Sequence, residues 1–84
     1  MITKQLILAN GNAASLESFI GSLRCTTLII QAPSSNTNSI YIGDAAEQII
    51  ELYSSGASIT LNVSALSAVY VKGTTDDIIN ILII

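Results

Sequence analysis

The side chains that could carry chemistry in this chain are few. They are the acidic pair Asp76-Asp77, the single Cys25, the lysines Lys4 and Lys72, and a supply of serines. Asp76-Asp77 follows Gly73-Thr74-Thr75, a context that could form part of a calcium loop. Calcium takes about six or more oxygen ligands, and two adjacent acids supply few of them. The pair is therefore expected to be a solvated turn before the last strand. A serine nucleophile needs a base, and with no histidine the base would have to be a lysine. Lys4 and Lys72 both fall in strand-like segments, on faces expected to be solvated. Cys25 has no imidazole to activate it and no cysteine partner, so it reads as a small residue in a strand.

Other site classes fare no better. Without histidine, and with one cysteine, no set of metal ligands is apparent. Glycoside hydrolysis needs paired carboxylates in a cleft lined by sugar-stacking rings, and the aromatic residues are only Phe19, Tyr41, Tyr53 and Tyr70. The glycines are dispersed and form no phosphate-cradling motif. Asn62-Val63-Ser64 matches a glycosylation acceptor, but it lies on a strand-like segment with no export signal ahead of it, and is treated as chance. The expectation is a protein without catalytic residues, cofactor or metal.

Composition narrows the remaining classes. The chain has 84 residues, enough for one domain spanning 1–84; half of them are hydrophobic and 11% are charged. The net charge is −3, and the three bases Lys4, Arg24 and Lys72 are scattered. Three isolated bases cannot neutralise a run of phosphates, so no nucleic-acid partner is expected. Binding to an anionic membrane needs basic clusters, which are absent from the sequence. No stretch approaches the roughly 20 apolar residues that span a bilayer. Met1-Ile2-Thr3-Lys4 leads straight into an alternating segment without the features of a signal peptide, which suits synthesis in a cytoplasm.

The elements that position these residues are strands, because the dominant hydrophobic period is two. In Ala57–Val63 the side chains of Ile59, Leu61 and Val63 point one way, and Ser58, Thr60 and Asn62 the other. Ile2–Leu8 is a first strand, and Asn10-Gly11 predicts a type I′ hairpin turn. A second strand is then expected over about Ala13–Ile20, ending at Gly21. Arg24–Ala32 reads as a third strand, stopped by Pro33. Ser39–Gly43 follows, with Ile40 and Ile42 inward and Tyr41 outward. Asp44-Ala45-Ala46-Glu47 resembles a capping box, so one short helical turn near 44–50 competes with a loop followed by a strand over Gln48–Leu52, and the all-β neighbourhood favours the loop and strand. Val69–Lys72 and Asp77–Ile84 complete eight short strands. Their spacing predicts an all-β fold, a small eight-stranded antiparallel sandwich or barrel.

So apolar a chain has more hydrophobic surface than one small core can hide. Ile78–Ile84 contains six apolar residues and no charge. Placing Ile79, Ile81 and Ile83 in the core leaves Ile78, Leu82 and Ile84 on the opposite face. A strand apolar on both sides packs against a further layer or a partner. Tyr41 and Tyr70, on outward strand positions, are amphipathic anchors of the kind enriched at interfaces. The candidate interface residues are thus Tyr41, Tyr70, Ile78, Leu82 and Ile84. Self-association in a closed ring is expected, with a homotrimer as the working form.

Leu28-Ile29-Ile30-Gln31-Ala32, followed after a polar tract by Asn38-Ser39-Ile40-Tyr41-Ile42-Gly43-Asp44, forms one half of a pattern. Ser55-Gly56-Ala57-Ser58-Ile59-Thr60-Leu61, then Leu66 to Thr74 with its Val69-Tyr70-Val71-Lys72-Gly73 strand, forms the other. Their order resembles that of small β-domains in the virions of tailed bacteriophages, similar to head decoration or cement proteins. Ser55-Gly56 stands where that pattern commonly has Pro-Gly. The resemblance covers roughly residues 24 to 84 and implies a binding role on a capsid lattice, with the major capsid protein as partner. It also implies a virion location. It carries over no individual functional residues. The alternatives are a carbohydrate-binding module, lectin-like or at a tail-fibre tip, with Asp44, Asp76 and Asp77 as polar contacts, and a neck or tail adaptor.

Overall fold

In a computed structural model, every residue of 1–84 is described except Leu23 and Cys25. The expected strand role of Cys25 therefore lies outside the described residues. The described residues form eight strands, β1 (Ile2–Ile7), β2 (Ala14–Ser15), β3 (Leu28–Gln31), β4 (Ile40–Gly43), β5 (Ile50–Leu52), β6 (Ser58–Leu61), β7 (Tyr70–Lys72) and β8 (Ile78–Ile83). A short helix α1 (Leu16–Ile20) follows β2, and a single 3-10 turn (Leu66–Ala68) precedes β7. One sheet has the order β1-β8-β3-β6 and the other β2-β7-β4-β5, with every neighbouring pair antiparallel. The fold is an all-β antiparallel sandwich, as the strand spacing predicts. Its shortest dimension, 19 Å, suits two face-packed layers about 10 Å apart with side chains on their outer surfaces.

Alternation decides which side chains fill the space between the sheets. Along β8, Ile79, Ile81 and Ile83 are buried and meet Leu28 and Ile30 of β3 and Leu6 of β1. From the second sheet come Ile40 and Ile42 of β4, Leu52 of β5 and Val71 of β7. Ile59 and Leu61 of β6, with Val63, pack against the rim of this core. Each fully buried Leu or Ile contributes about 1.5–3 kcal/mol. The central position of β8 matters most, because β1 and β3 both take their register from it.

Three local expectations are corrected by the structure. Asn10-Gly11 forms no type I′ hairpin. The Asn10 Oδ1 accepts the Asn12 N–H at 2.9 Å, and neither Asn10 nor Gly11 has positive φ. β1 pairs instead with β8, and that pairing continues through Leu8, whose N–H donates to the Asp77 carbonyl at 2.9 Å. The chain then crosses to the other sheet, where β2 pairs with β7.

The second strand expected over Ala13–Ile20 is also shorter than its sequence alternation. It stops after Ser15, whose Oγ accepts the Ser18 N–H at 3.2 Å and caps α1. Ser18 Oγ–H returns a bond to the Ser15 carbonyl at 2.6 Å. Gly21, at φ 104°, ends the helix by donating its N–H to the Glu17 carbonyl at 2.8 Å. This turn buries Leu16 and lays Phe19 and Ile20 against the core. The third strand, expected from Arg24, begins at Leu28, with Arg24 making an isolated bridge to Ala65.

Between 44 and 52 the favoured reading holds: a loop leads into strand β5, and no helical turn forms. Asp44 does act as a cap, accepting the N–H groups of Ala46 and Glu47, both at 2.9 Å. Its own N–H, however, donates to the Glu47 carbonyl at 3.0 Å, which folds the segment back on itself. Ile42 and Ile50 then pair across the hairpin. A side chain at Gly43 would collide with the Glu47 carbonyl, so this tight return requires glycine there. The capping-box residues thus make a hairpin loop because both of its ends are held in a sheet.

Candidate interaction surfaces

The outer face of the first sheet is built by the residues that alternate with its core positions. The register sets Thr3, Leu82, Ile29 and Thr60 in one row, and Gln5, Asn80, Gln31 and Ser58 in the next. Ile7 and Ile78 lie opposite each other in a third row. None of these residues is charged. The middle row is stitched by side-chain amides. Gln5 Nε2 donates to Asn80 Oδ1 at 3.2 Å, and Asn80 Nδ2 donates to Gln31 Oε1 at 3.1 Å. Gln31 Nε2 donates to the Gly56 carbonyl at 3.4 Å. The ladder spans β1, β8 and β3 and holds each amide in one orientation. Beside it Leu82 and Ile29 border an open depression of about 290 Å³.

The outer face of the second sheet is of another kind. Tyr41 stands between Lys72 of β7 and Glu51 of β5, its direct neighbours across the two adjoining strands. Its hydroxyl donates to Glu51 Oε2 at 3.3 Å. The negative charge of Glu51 is the main cause that raises the Tyr41 phenol above its ordinary pKa, with desolvation and this hydrogen bond adding to it. Tyr70 lies on the same face, opposite Gly43. At the edge strand β5 the side chains of Ile49, Ile50 and Tyr53 are 72%, 48% and 66% exposed.

The five interface residues expected from sequence therefore occupy two opposite sides of the sandwich. Ile78 and Leu82 are half-buried on the first sheet, and Ile84 continues their line just beyond β8, with its side chain exposed. The Ile84 backbone is tied down: its carbonyl accepts the N–H groups of Thr26 and Thr27, and its own N–H donates to the Thr27 carbonyl. Tyr41 and Tyr70 lie on the second sheet and do not join that patch. Sequence reasoning missed Ile49, Ile50 and Tyr53 as exposed residues. The signal was the Ile49-Ile50 doublet, because adjacent residues of a strand cannot both face the core. It also missed the amide ladder, whose trace is one Gln or Asn set among apolar residues in each of three strands.

The acidic pair is the clearest change among the residues weighed for chemistry. Asp77 is buried and is not part of a solvated turn. Its Oδ1 accepts the Thr37 N–H at 3.0 Å and the Thr37 hydroxyl at 2.9 Å, and Oδ2 accepts the Asn38 N–H at 3.1 Å. Burial pushes this carboxyl up, but the hydrogen bonds from Thr37 and Asn38 outweigh it and hold the pKa below the usual value. Nearby, the Asn36 amide binds the backbone of Ile78 in both directions, donating to its carbonyl at 2.8 Å and accepting its N–H at 2.6 Å. These side chains fasten the loop between β3 and β4 to the start of β8. Asp76, at φ 72°, forms the turn beside them.

Lys4 and Lys72 are exposed, as expected. Among the described residues no group of three or more His, Cys, Asp or Glu side chains could hold a metal ion, and no helix is long and apolar enough to cross a membrane. No family model matches this chain, and neither the curated proteins nor the solved structures contain a match.

Proposed function

We propose that the chain is a non-catalytic structural subunit that docks through the outer face of its first sheet. In this reading it is a head decoration or cement protein in the virion of a tailed bacteriophage. The observation that carries the reading is the charge-free face made by Thr3, Gln5, Ile7, Ile29, Gln31, Ile78, Asn80 and Leu82. Burying such a face against a partner strands no ion, and the amide ladder already pairs Gln5, Asn80 and Gln31 with one another before water leaves. The fixed amides give the face a rigid shape, which lowers the ordering cost of docking.

A capsid lattice repeats the contact many times, so a modest single interface suffices through multivalency. The partner in this reading is the major capsid protein, and self-association in a closed ring such as a homotrimer accompanies it. The test is analytical sedimentation of the purified protein at micromolar concentration, followed by co-sedimentation with phage heads stripped of their decoration. Oligomers and head binding are the expected results. A clean monomer with no affinity for heads, or selective hits on a glycan array, would overturn the proposal.

A further inference from the structure

The open edge of the second sheet points to a separate contact. β5 pairs with β4 on one side, and the sheet order ends there. On the outward face of this strand and its flanks, Ile49, Glu51 and Tyr53 follow one another at alternate positions. All three are exposed, and Ile50 protrudes between them toward the core side. An exposed edge strand with apolar side chains offers a ready template for an added strand.

Charge decides what can occupy it. Asp44, Glu47 and Glu51, three of the six acids of the chain, lie on this hairpin. The nearest base along the sheet, Lys72, is on the far side of Tyr41 from Glu51. A second copy of β5 added antiparallel over its full length would set Glu51 opposite Glu51. Like charges directly opposite destabilise a strand pair, and opposite charges stabilise it. We propose that the β5 edge takes up an extended segment of another protein, with a Lys or Arg facing Glu51 and an apolar residue two positions to either side. The cation pairs with Glu51, and the apolar residues cover Ile49 and Tyr53. Ile50 then meets the backbone of the added strand at the rim of the core. The contact does not depend on the virion reading, since the docking face of the first sheet lies on the opposite side of the molecule.

The probe is an end-capped heptapeptide, Thr-Val-Thr-Lys-Thr-Val-Thr, compared with its counterpart carrying Glu in place of Lys. Binding is followed by backbone amide shifts and hydrogen exchange in the intact protein. The lysine peptide is expected to shift the amides of Ile50 to Leu52 and to protect those whose N–H groups face the free edge, with the glutamate peptide about tenfold weaker. Glu51→Lys should reverse that order, and Glu51→Gln should nearly abolish the difference. Glu51 is exposed on a surface strand, so neither variant threatens the fold. The proposal is overturned if the lysine peptide leaves β5 unperturbed at millimolar concentration, or if Glu51→Lys keeps the wild-type order. Protection of β5 that rises with protein concentration without peptide would overturn it too, by naming a second copy as the occupant.

Discussion

The two sheets press similar aliphatic faces together and turn different faces outward. The first presents rows of aliphatic, amide and hydroxyl side chains without charge, locked by amide hydrogen bonds. The second presents a base, a tyrosine and an acid across adjacent strands, and ends in an edge with protruding isoleucines. Core packing imposes neither outcome, since positions that alternate with the core are free to be polar in both sheets. The difference shows that an outer face can be specialised without disturbing the sandwich. A charge-free face favours broad contact with water excluded, whereas a charged edge selects a partner by sign.

The largest expected effect comes from a charge introduced into the uncharged face. Leu82→Asp should weaken self-association and head binding by about a hundredfold or more, on the scale of an interface hot spot. Lys72→Ala on the other face should leave both within about twofold. Sedimentation of the two variants side by side measures the contrast, and equal losses would erase the distinction between the faces.

Asp77 ranks next because it supports the first sheet from behind its loop. In Asp77→Asn an amide nitrogen must face donors that now meet a carboxylate, so chemical denaturation should show a loss of about 1–3 kcal/mol. The pH dependence has a definite sign. The unfolded chain takes up a proton on this carboxyl at higher pH than the folded protein does, because the folded pKa is lowered. The contribution of Asp77 to stability is therefore present above the ordinary carboxylate pKa and is lost as pH falls through the lower folded value. Asp77→Asn should flatten that part of the stability profile.

Smaller effects test the two surface networks themselves. Asn80→Ala removes the middle rung of the ladder and should cost about 1 kcal/mol, with the side-chain amide signals of Gln5 and Gln31 becoming mobile by NMR. On the second sheet, Glu51→Gln should bring the Tyr41 phenol back toward its ordinary pKa in a spectrophotometric titration, because the charge of Glu51 is the main cause of the shift. Its thermal midpoint should stay unchanged. If Asn80→Ala proved silent and Glu51→Gln destabilising, the roles assigned to the two faces would be exchanged.

Much of the strand pattern was legible because it rests on alternation alone. Ile79, Ile81 and Ile83 inward, Ile40 and Ile42 inward with Tyr41 outward, and Ile59 with Leu61 toward the core all follow from period two. What failed was decided by competition or by distance. Ser15 and Ser18 close a helical turn where the alternating residues would have continued a strand. Asn10-Gly11 suggested a local hairpin, whereas β1 is claimed by β8 from the other end of the sequence. Between Asp44 and Leu52, by contrast, the favoured loop and strand form: Asp44 caps as its motif predicts, and the Ile42–Ile50 pairing makes the cap part of a hairpin loop.

The candidate interface residues were legible singly and not as a set. Sequence marks Tyr41 and Leu82 as outward-facing, yet only the sheet order tells that they look in opposite directions. The amide ladder needs the register of three strands before Gln5, Asn80 and Gln31 can be seen to meet. Asp77 was read as solvated because its donors, at Thr37 and Asn38, lie 40 and 39 positions away.

The central place of β8 in the first sheet has a consequence for synthesis. Its neighbours β1 and β3 precede it in the chain, yet they touch each other only through it. Domains generally fold as units as the chain is synthesised, and this sheet cannot close until Ile78–Ile83 has left the ribosome. The same segment supplies Ile78, Asn80 and Leu82 to the uncharged face. A chain that stops short of β8 thus lacks both this sheet and its uncharged face, and the two form in one step.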